Sequence, residues 1–106
     1  MAVSEEIQNI AQSILGSVDA EAIYLFGSYA YGTPTKDSDY DFYVLIKDDS
    51  PIKPIDVMEK IYCNFNSYGK SVDILANYKT RFKERSAFAT LERKIVREGV
   101  LLYERP

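Results

Sequence analysis

Gly27-Ser28-Tyr29-Ala30-Tyr31-Gly32-Thr33-Pro34-Thr35-Lys36-Asp37-Ser38-Asp39-Tyr40-Asp41 joins two apolar runs, residues 22–26 before it and 42–46 after it. The pattern reads as a strand, a Gly-Ser turn, a polar loop and a second strand that opens on two aspartates. Successive side chains of a strand point to opposite faces, so Asp39 and Asp41 share one face. Tyr40, Phe42, Val44 and Ile46 share the other, which is apolar enough to lie on a core. Two carboxylates about 7 Å apart along a strand repel one another unless a cation lies between them. Hard oxygen donors of this kind suit Mg²⁺ or Mn²⁺. The Gly27–Ser28 turn offers backbone N–H groups and a hydroxyl, which suit phosphate. Asp is disfavoured in strands, so two on one face call for a reason beyond solvation. A dication beside a phosphate cradle points to nucleotide chemistry.

Outward from this stretch, the first strand is expected over about 22–26 and the second over about 40–46. Gly32, Thr33, Pro34, Asp37 and Ser38 between them are loop formers. A helix is expected ahead of them, capped by Ser4, with Glu5 and Glu6 in its first turn and Gly16 as its stop. Ile7, Ile10, Ala11, Ile14 and Leu15 form its apolar stripe. A second helix is expected from Pro54, with Ile55, Met58, Ile61, Tyr62 and Phe65 on its buried side and residues 66–70, with Gly69, ending it. Ser71-Val72-Asp73-Ile74-Leu75 reads as a third strand with Val72 and Ile74 inward, so Asp73 faces the same way as Asp39 and Asp41. A third helix is expected from near residue 79 or 81 to about 98, with Phe88, Leu91 and Ile95 as its stripe and Phe82 and Val96 flanking. Residues 100–103 read as a short final strand or an extended tail. The expected fold class is α+β, a small mixed sheet with helices packed on one face and the aspartate face open.

Composition narrows the chemistry. The 106 residues suffice for one domain, taken as 1–106. Thirteen Lys and Arg against sixteen Asp and Glu give a net charge of −3, which argues against binding long nucleic acids. The chain has no histidine, so acid–base work and metal binding fall to carboxylates. Cys63 is the one cysteine, which excludes an intramolecular disulfide and reads as a buried or half-buried small side chain. Residues 1–15 lack the apolar core of a signal peptide and no run approaches a membrane span, so a cytoplasmic location is expected. The basic residues from Arg81 to Arg97 read as a solvated helix face, and the nine tyrosines as packing.

Gly27-Ser28, ten residues, then Asp39-Tyr40-Asp41 resembles the GS-x10-DxD signature of the DNA polymerase β-like nucleotidyltransferase superfamily. Ser38-Asp39-Tyr40-Asp41 resembles its SDxD strand, and Asp73 stands where its third carboxylate is expected. The resemblance covers nearly the whole chain and is closest to the minimal nucleotidyltransferase (MNT) subfamily. It implies the nucleotidyltransferase fold and metal-dependent transfer of a nucleoside monophosphate, with Asp39, Asp41 and Asp73 as catalytic residues. They would be the ligands of Mg²⁺, with two ions expected and Mn²⁺ as a substitute. Gly27 and Ser28 would bind the nucleotide's phosphates. Tyr29 and Tyr31 stand where many relatives carry arginine, so charge for a triphosphate must come from elsewhere; Lys36, Lys70 and Arg81 are the candidates.

The resemblance also implies a partner. MNT proteins are similar to antitoxins encoded beside a helical HEPN-type toxin, which they silence by transferring AMP from ATP to a tyrosine hydroxyl. A chain of this length is expected to receive its acceptor as another folded surface, in a hetero- or homo-oligomer. The alternative is a non-catalytic binding subunit that neutralises or complements a partner. A further alternative, an antibiotic nucleotidyltransferase, is disfavoured because relatives of that type carry an additional helical domain for the acceptor.

Overall fold

The computed structural model describes residues 3–63 and 71–106. Its centre is β2 (Tyr40–Ile46), in which every residue but Asp41 is buried. β1 (Ala22–Phe26) pairs with it antiparallel, with Phe26 opposite Asp41. β3 (Val72–Tyr78) pairs with its other side in parallel, with Asp73 opposite Asp41. β4 (Val100–Glu104), the final strand that the sequence left between strand and tail, pairs antiparallel with β1. The mixed sheet therefore runs β3-β2-β1-β4. Parallel strands cannot be joined by a hairpin, so β2 reaches β3 through a crossover that contains α3 (Pro54–Cys63). That crossover sets Asp73 beside Asp41.

On one face lie α1 (Glu5–Ser17) and α3. Ser4 caps α1 by accepting from the Ile7 N–H. Ile7, Ile10 and Ile14 pack against Ile23, Leu25, Phe42, Val44 and Ile46, together with Val57 and Ile61 of α3. The helix runs through Gly16 and ends at Ser17. In α3 the buried positions are Val57 and Ile61, with Met58 half-buried, whereas Ile55 and Tyr62, expected inside, are exposed. The helix is rotated from the expected stripe, and Phe65 and residues 66–70, expected to end it, lie outside the described residues. Tyr62 instead sends its hydroxyl to the sheet edge, where it accepts the Ile74 N–H at 2.8 Å. An edge strand has backbone groups to satisfy, which gives an aromatic alcohol a place that packing alone would not. Cys63 is exposed, not buried as expected.

The single third helix is replaced by two, α4 (Lys79–Arg85) and α5 (Leu91–Glu98). Phe82 and Ile95 both bury into one cluster with Ala22, Phe26, Tyr43 and Leu45. Thirteen positions along one straight helix, at about 100° each, would set them about 140° apart. Breaking the helix lets both reach the sheet. Thr90 starts α5 by accepting the Arg93 N–H, and its hydroxyl donates to the Arg85 carbonyl at 2.7 Å. Phe88, expected in the stripe, lies in the break and is exposed, as Leu91 and Val96 are. α4 and α5 thus add a second, smaller layer on the face that carries Asp41. Tyr43 and Leu45 follow Asp41 on that face and need cover; the aspartate corner itself stays open. Among the described residues no helix is long and apolar enough to cross a membrane.

Candidate active site

The Gly-Ser turn is built against Asp41. Gly27 has φ +75°, and a Cβ there would fall 2.1 Å from Asp41 Oδ2. Only glycine meets both conditions without moving the carboxylate. The chain then makes one helical turn, α2 (Ser28–Tyr31), in which Ala30 and Tyr31 donate to the Gly27 carbonyl at 3.0 Å. Gly32, left-handed at φ 84°, closes it. The loop that follows folds back on itself: the Thr35 N–H donates to Ser38 Oγ at 2.8 Å and the Ser38 N–H to the Thr35 carbonyl at 3.1 Å. This delivers Asp39 to the start of β2 at the same end of the sheet as Gly27.

Asp41 and Asp73 stand in register on adjacent strands, with their side chains hydrogen-bonded. Burial, the charge and hydrogen bond of Asp73, and the charge of Asp39 together push Asp41 up to about 6. The corner thus holds more negative charge than it can bear alone. Among the described residues no group of three or more acidic or Cys side chains is already arranged around a metal position. The site consists of the Asp41–Asp73 pair, with exposed Asp39 as the added charge at its rim. The donor set, all carboxylate oxygen, fits a hard divalent ion.

Both tyrosines of α2 turn toward protein. Tyr29 packs on Tyr40, with ring centroids 4.6 Å apart. Burial and a hydrogen bond to Glu6 push the Tyr40 hydroxyl up to about 12, so it stays protonated and anchors the base of the loop. Tyr31 is half-buried and carries the ammonium of Lys94 at 4.8 Å from its ring centroid. Of the cations expected to serve the site, Lys36 is exposed on the loop and Lys70 lies outside the described residues. Arg81 lines a separate groove with Glu84, Arg85, Phe88 and Thr90. Lys94 was not singled out by sequence, since no local motif marks it.

Two positions beyond Asp41 on the same strand, Tyr43 donates to Glu92 Oε2 at 2.8 Å. Arg85 Nε lies 3.1 Å from the other Glu92 oxygen. Burial raises Glu92, but the Tyr43 hydroxyl and Arg85 outweigh it and hold the carboxyl below its ordinary value. This triad, buried at Tyr43 and Glu92 and exposed at Arg85, ties α4 and α5 to the floor of the aspartate face, and no signal in the sequence connected its three members.

A scan of family models matches the polymerase β nucleotidyltransferase domain over residues 5–106. A search of proteins of curated function finds no match. Among solved structures, a candidate nucleotidyltransferase from Sulfolobus solfataricus is similar at TM-score 0.63 and 22% identity, covering 93% of this chain and 78% of that one. A toxin–antitoxin structure with AMP-PNP is similar at TM-score 0.61 and 24% identity, over 96% of this chain and 75% of that one. At those identities the likeness concerns the fold. A toxin–antitoxin MntA–HpeT structure with two Asp-to-Glu changes is similar at TM-score 0.61 and 25% identity, over 97% of this chain and 75% of that one. The match extends over nearly the whole length, and the chain belongs to the polymerase β nucleotidyltransferase family.

Proposed function

We propose that the protein transfers AMP from ATP to a hydroxyl of a partner protein, as the antitoxin-like half of a toxin–antitoxin pair whose toxin is a HEPN-type helical protein. The observation that carries the chemistry is the Asp41–Asp73 pair set directly against the glycine turn. Similarity to toxin–antitoxin structures, one of them with AMP-PNP, supports the choice of partner and nucleotide.

Asp39, Asp41 and Asp73 would hold Mg²⁺, one ion or two, which neutralises phosphate charge and polarises the oxygens around the reacting phosphorus. Gly27 lets the backbone approach the phosphate chain, and the Ser28 hydroxyl donates to a phosphate oxygen. The acceptor oxygen forms a bond to the α-phosphorus as the bridging bond to the β-phosphate breaks. Pyrophosphate leaves, and the hydroxyl proton passes to a carboxylate of the corner, in this reading Asp73. Most of the rate in such a site comes from orienting two substrates, so the open corner must be covered by the acceptor's own surface.

Co-expression with the product of the adjacent gene, followed by intact mass measurement, tests this reading. The partner is expected to gain one or more AMP masses, and the gain is expected to vanish in Asp41→Asn combined with Asp39→Asn, with the fold retained by circular dichroism. Unchanged transfer in that double variant would remove the mechanism. A second reading, a binding subunit without catalysis, draws on the uncharged α2, whose tyrosines face protein. Calorimetry separates the two: Mg²⁺-dependent ATP binding supports transfer, and none at ~1 mM nucleotide supports the binding subunit.

A further inference from the structure

Residues 22–35 contain no charged side chain. The turn that would receive a phosphate chain is therefore electrically neutral, and the Asp41 carboxylate lies directly against it. A nucleoside triphosphate brings several more negative charges, which divalent ions offset only in part. A cation has to come from elsewhere in the chain.

The fold brings one from α5. That helix buries Ile95 against Phe26 and Tyr43 on the aspartate face. It ends where Gly99 leads into β4, and Val100 pairs with Leu25, at the end of β1 that carries Gly27. Lys94, one turn before that end, places Nζ 4.8 Å from the centroid of the Tyr31 ring. The Tyr31 N–H donates to the Gly27 carbonyl, so the ammonium rests on the same single turn that presents Ser28. Tyr31 is half-buried, and its buried hydroxyl has no hydrogen-bond partner among the described residues. Among the described residues Lys94 pairs with Glu98 at 3.8 Å, a loose contact between half-exposed groups. An ammonium on an aromatic face keeps its full charge and keeps donors free for a second ligand.

We infer that Lys94, seated on Tyr31, binds the outer phosphates of the nucleotide held at Gly27–Ser28, supplying from α5 the positive charge that α2 lacks. This rests on the nucleotidyl-transfer reading of the same corner. Tyr31 is then a positioning residue: its ring holds the ammonium over the turn and touches no substrate.

Calorimetric titration of the full chain with ATP, AMP and adenosine, each with Mg²⁺, tests the assignment. Lys94→Ala is expected to weaken ATP binding about tenfold or more. Adenosine affinity is expected to be unchanged, with AMP between, and Lys94→Arg is expected to recover most of the loss. Tyr31→Leu is expected to weaken ATP binding in the same phosphate-dependent way. Lys60→Ala removes the same charge from α3 and is expected to leave all three affinities alone. Equal ATP affinity in wild type and Lys94→Ala would overturn this assignment while leaving the reading of the corner intact. A parallel loss of ATP and adenosine affinity would also overturn it, by showing a structural role. A wild-type protein that binds no ATP would overturn both.

Discussion

Gly27 shows how one residue type can be dictated twice. Its φ of +75° disfavours any side chain, and the space a Cβ would need is held by the Asp41 carboxylate. A non-glycine residue in such a conformation costs on the order of 1–3 kcal/mol. Gly27→Ala is therefore expected to lower the melting temperature by at least about 5 °C. It is also expected to abolish Mg²⁺-dependent ATP binding, because Asp41 must move to admit the methyl group. Thermal melts and calorimetry check the two effects separately, and wild-type binding in the variant would show that the turn can retreat without disturbing the corner. Gly32, also at positive φ, has no neighbour within 4 Å of a Cβ, so its glycine serves the turn alone.

At the scale of elements, the division of the last helix matters most. α4 and α5 reach the sheet from different directions and are fastened to it by Tyr43, Glu92 and Arg85. Tyr43→Phe leaves a buried carboxylate oxygen without its O–H donor, which is expected to cost about 1–3 kcal/mol. The pH dependence of that stabilisation has a definite sign. Burial alone would raise Glu92, yet its hydrogen bonds and Arg85 bring it below the ordinary 4.5. A carboxyl lowered by folding stabilises above its unfolded value, and that stability is lost as pH falls through the folded one. The contribution should therefore be complete above pH 4.5 and decline below it. Urea melts of wild type and Tyr43→Phe are expected to differ most near neutrality and to converge in acid. A constant difference down to ~pH 2 would show that the hydroxyl acts through packing and not through Glu92.

For the molecule as a whole, the aspartate corner is a local liability that a ligand converts into stability. Burial, Asp73 and Asp39 raise Asp41 to about 6 from 3.8, so folding takes up a proton between those values. A carboxyl raised by folding makes stability fall as pH rises through that window. Half-exposed, Asp41 feels this less than a fully buried group would. Mg²⁺ with ATP would offset the carboxylate charge of the corner and bind only the folded chain. At a hundred times its dissociation constant a ligand adds about 2.7 kcal/mol. The melting temperature is expected to rise by ~10 °C or more with Mg²⁺ and ATP at pH ~7.5 and to fall back on adding EDTA. The gain should shrink as pH drops through about 6, where the proton competes for the same oxygens. A gain independent of pH between ~5 and ~8 would place the bound ion away from Asp41.

What the sequence determined by itself was local. Continuous apolar runs bounded by turn formers marked β1 and β2 to their end residues, because both strands lie in the sheet interior and are covered on both faces. The spacing from Gly27-Ser28 to Asp39 and Asp41, with Asp73 flanked by apolar residues, identified the corner, since one short stretch carries two of its carboxylates and its turn. Helix faces were less legible. Val57 and Ile61 took the core positions in α3, while Ile55 and Tyr62 stayed outside, because several apolar residues compete for one narrow stripe and the neighbours choose among them. The break between α4 and α5 was decided by the sheet, to which Phe82 and Ile95 must both attach. Tertiary structure alone decided which charges meet the site. The parallel crossover puts Asp73 opposite Asp41, 32 positions on in the register. The packing of α5 puts Lys94 over Tyr31, while Arg81, equally basic in sequence, is carried to another groove. A lysine on a polar helix reads the same wherever it lies; only the folded chain gives it a neighbour.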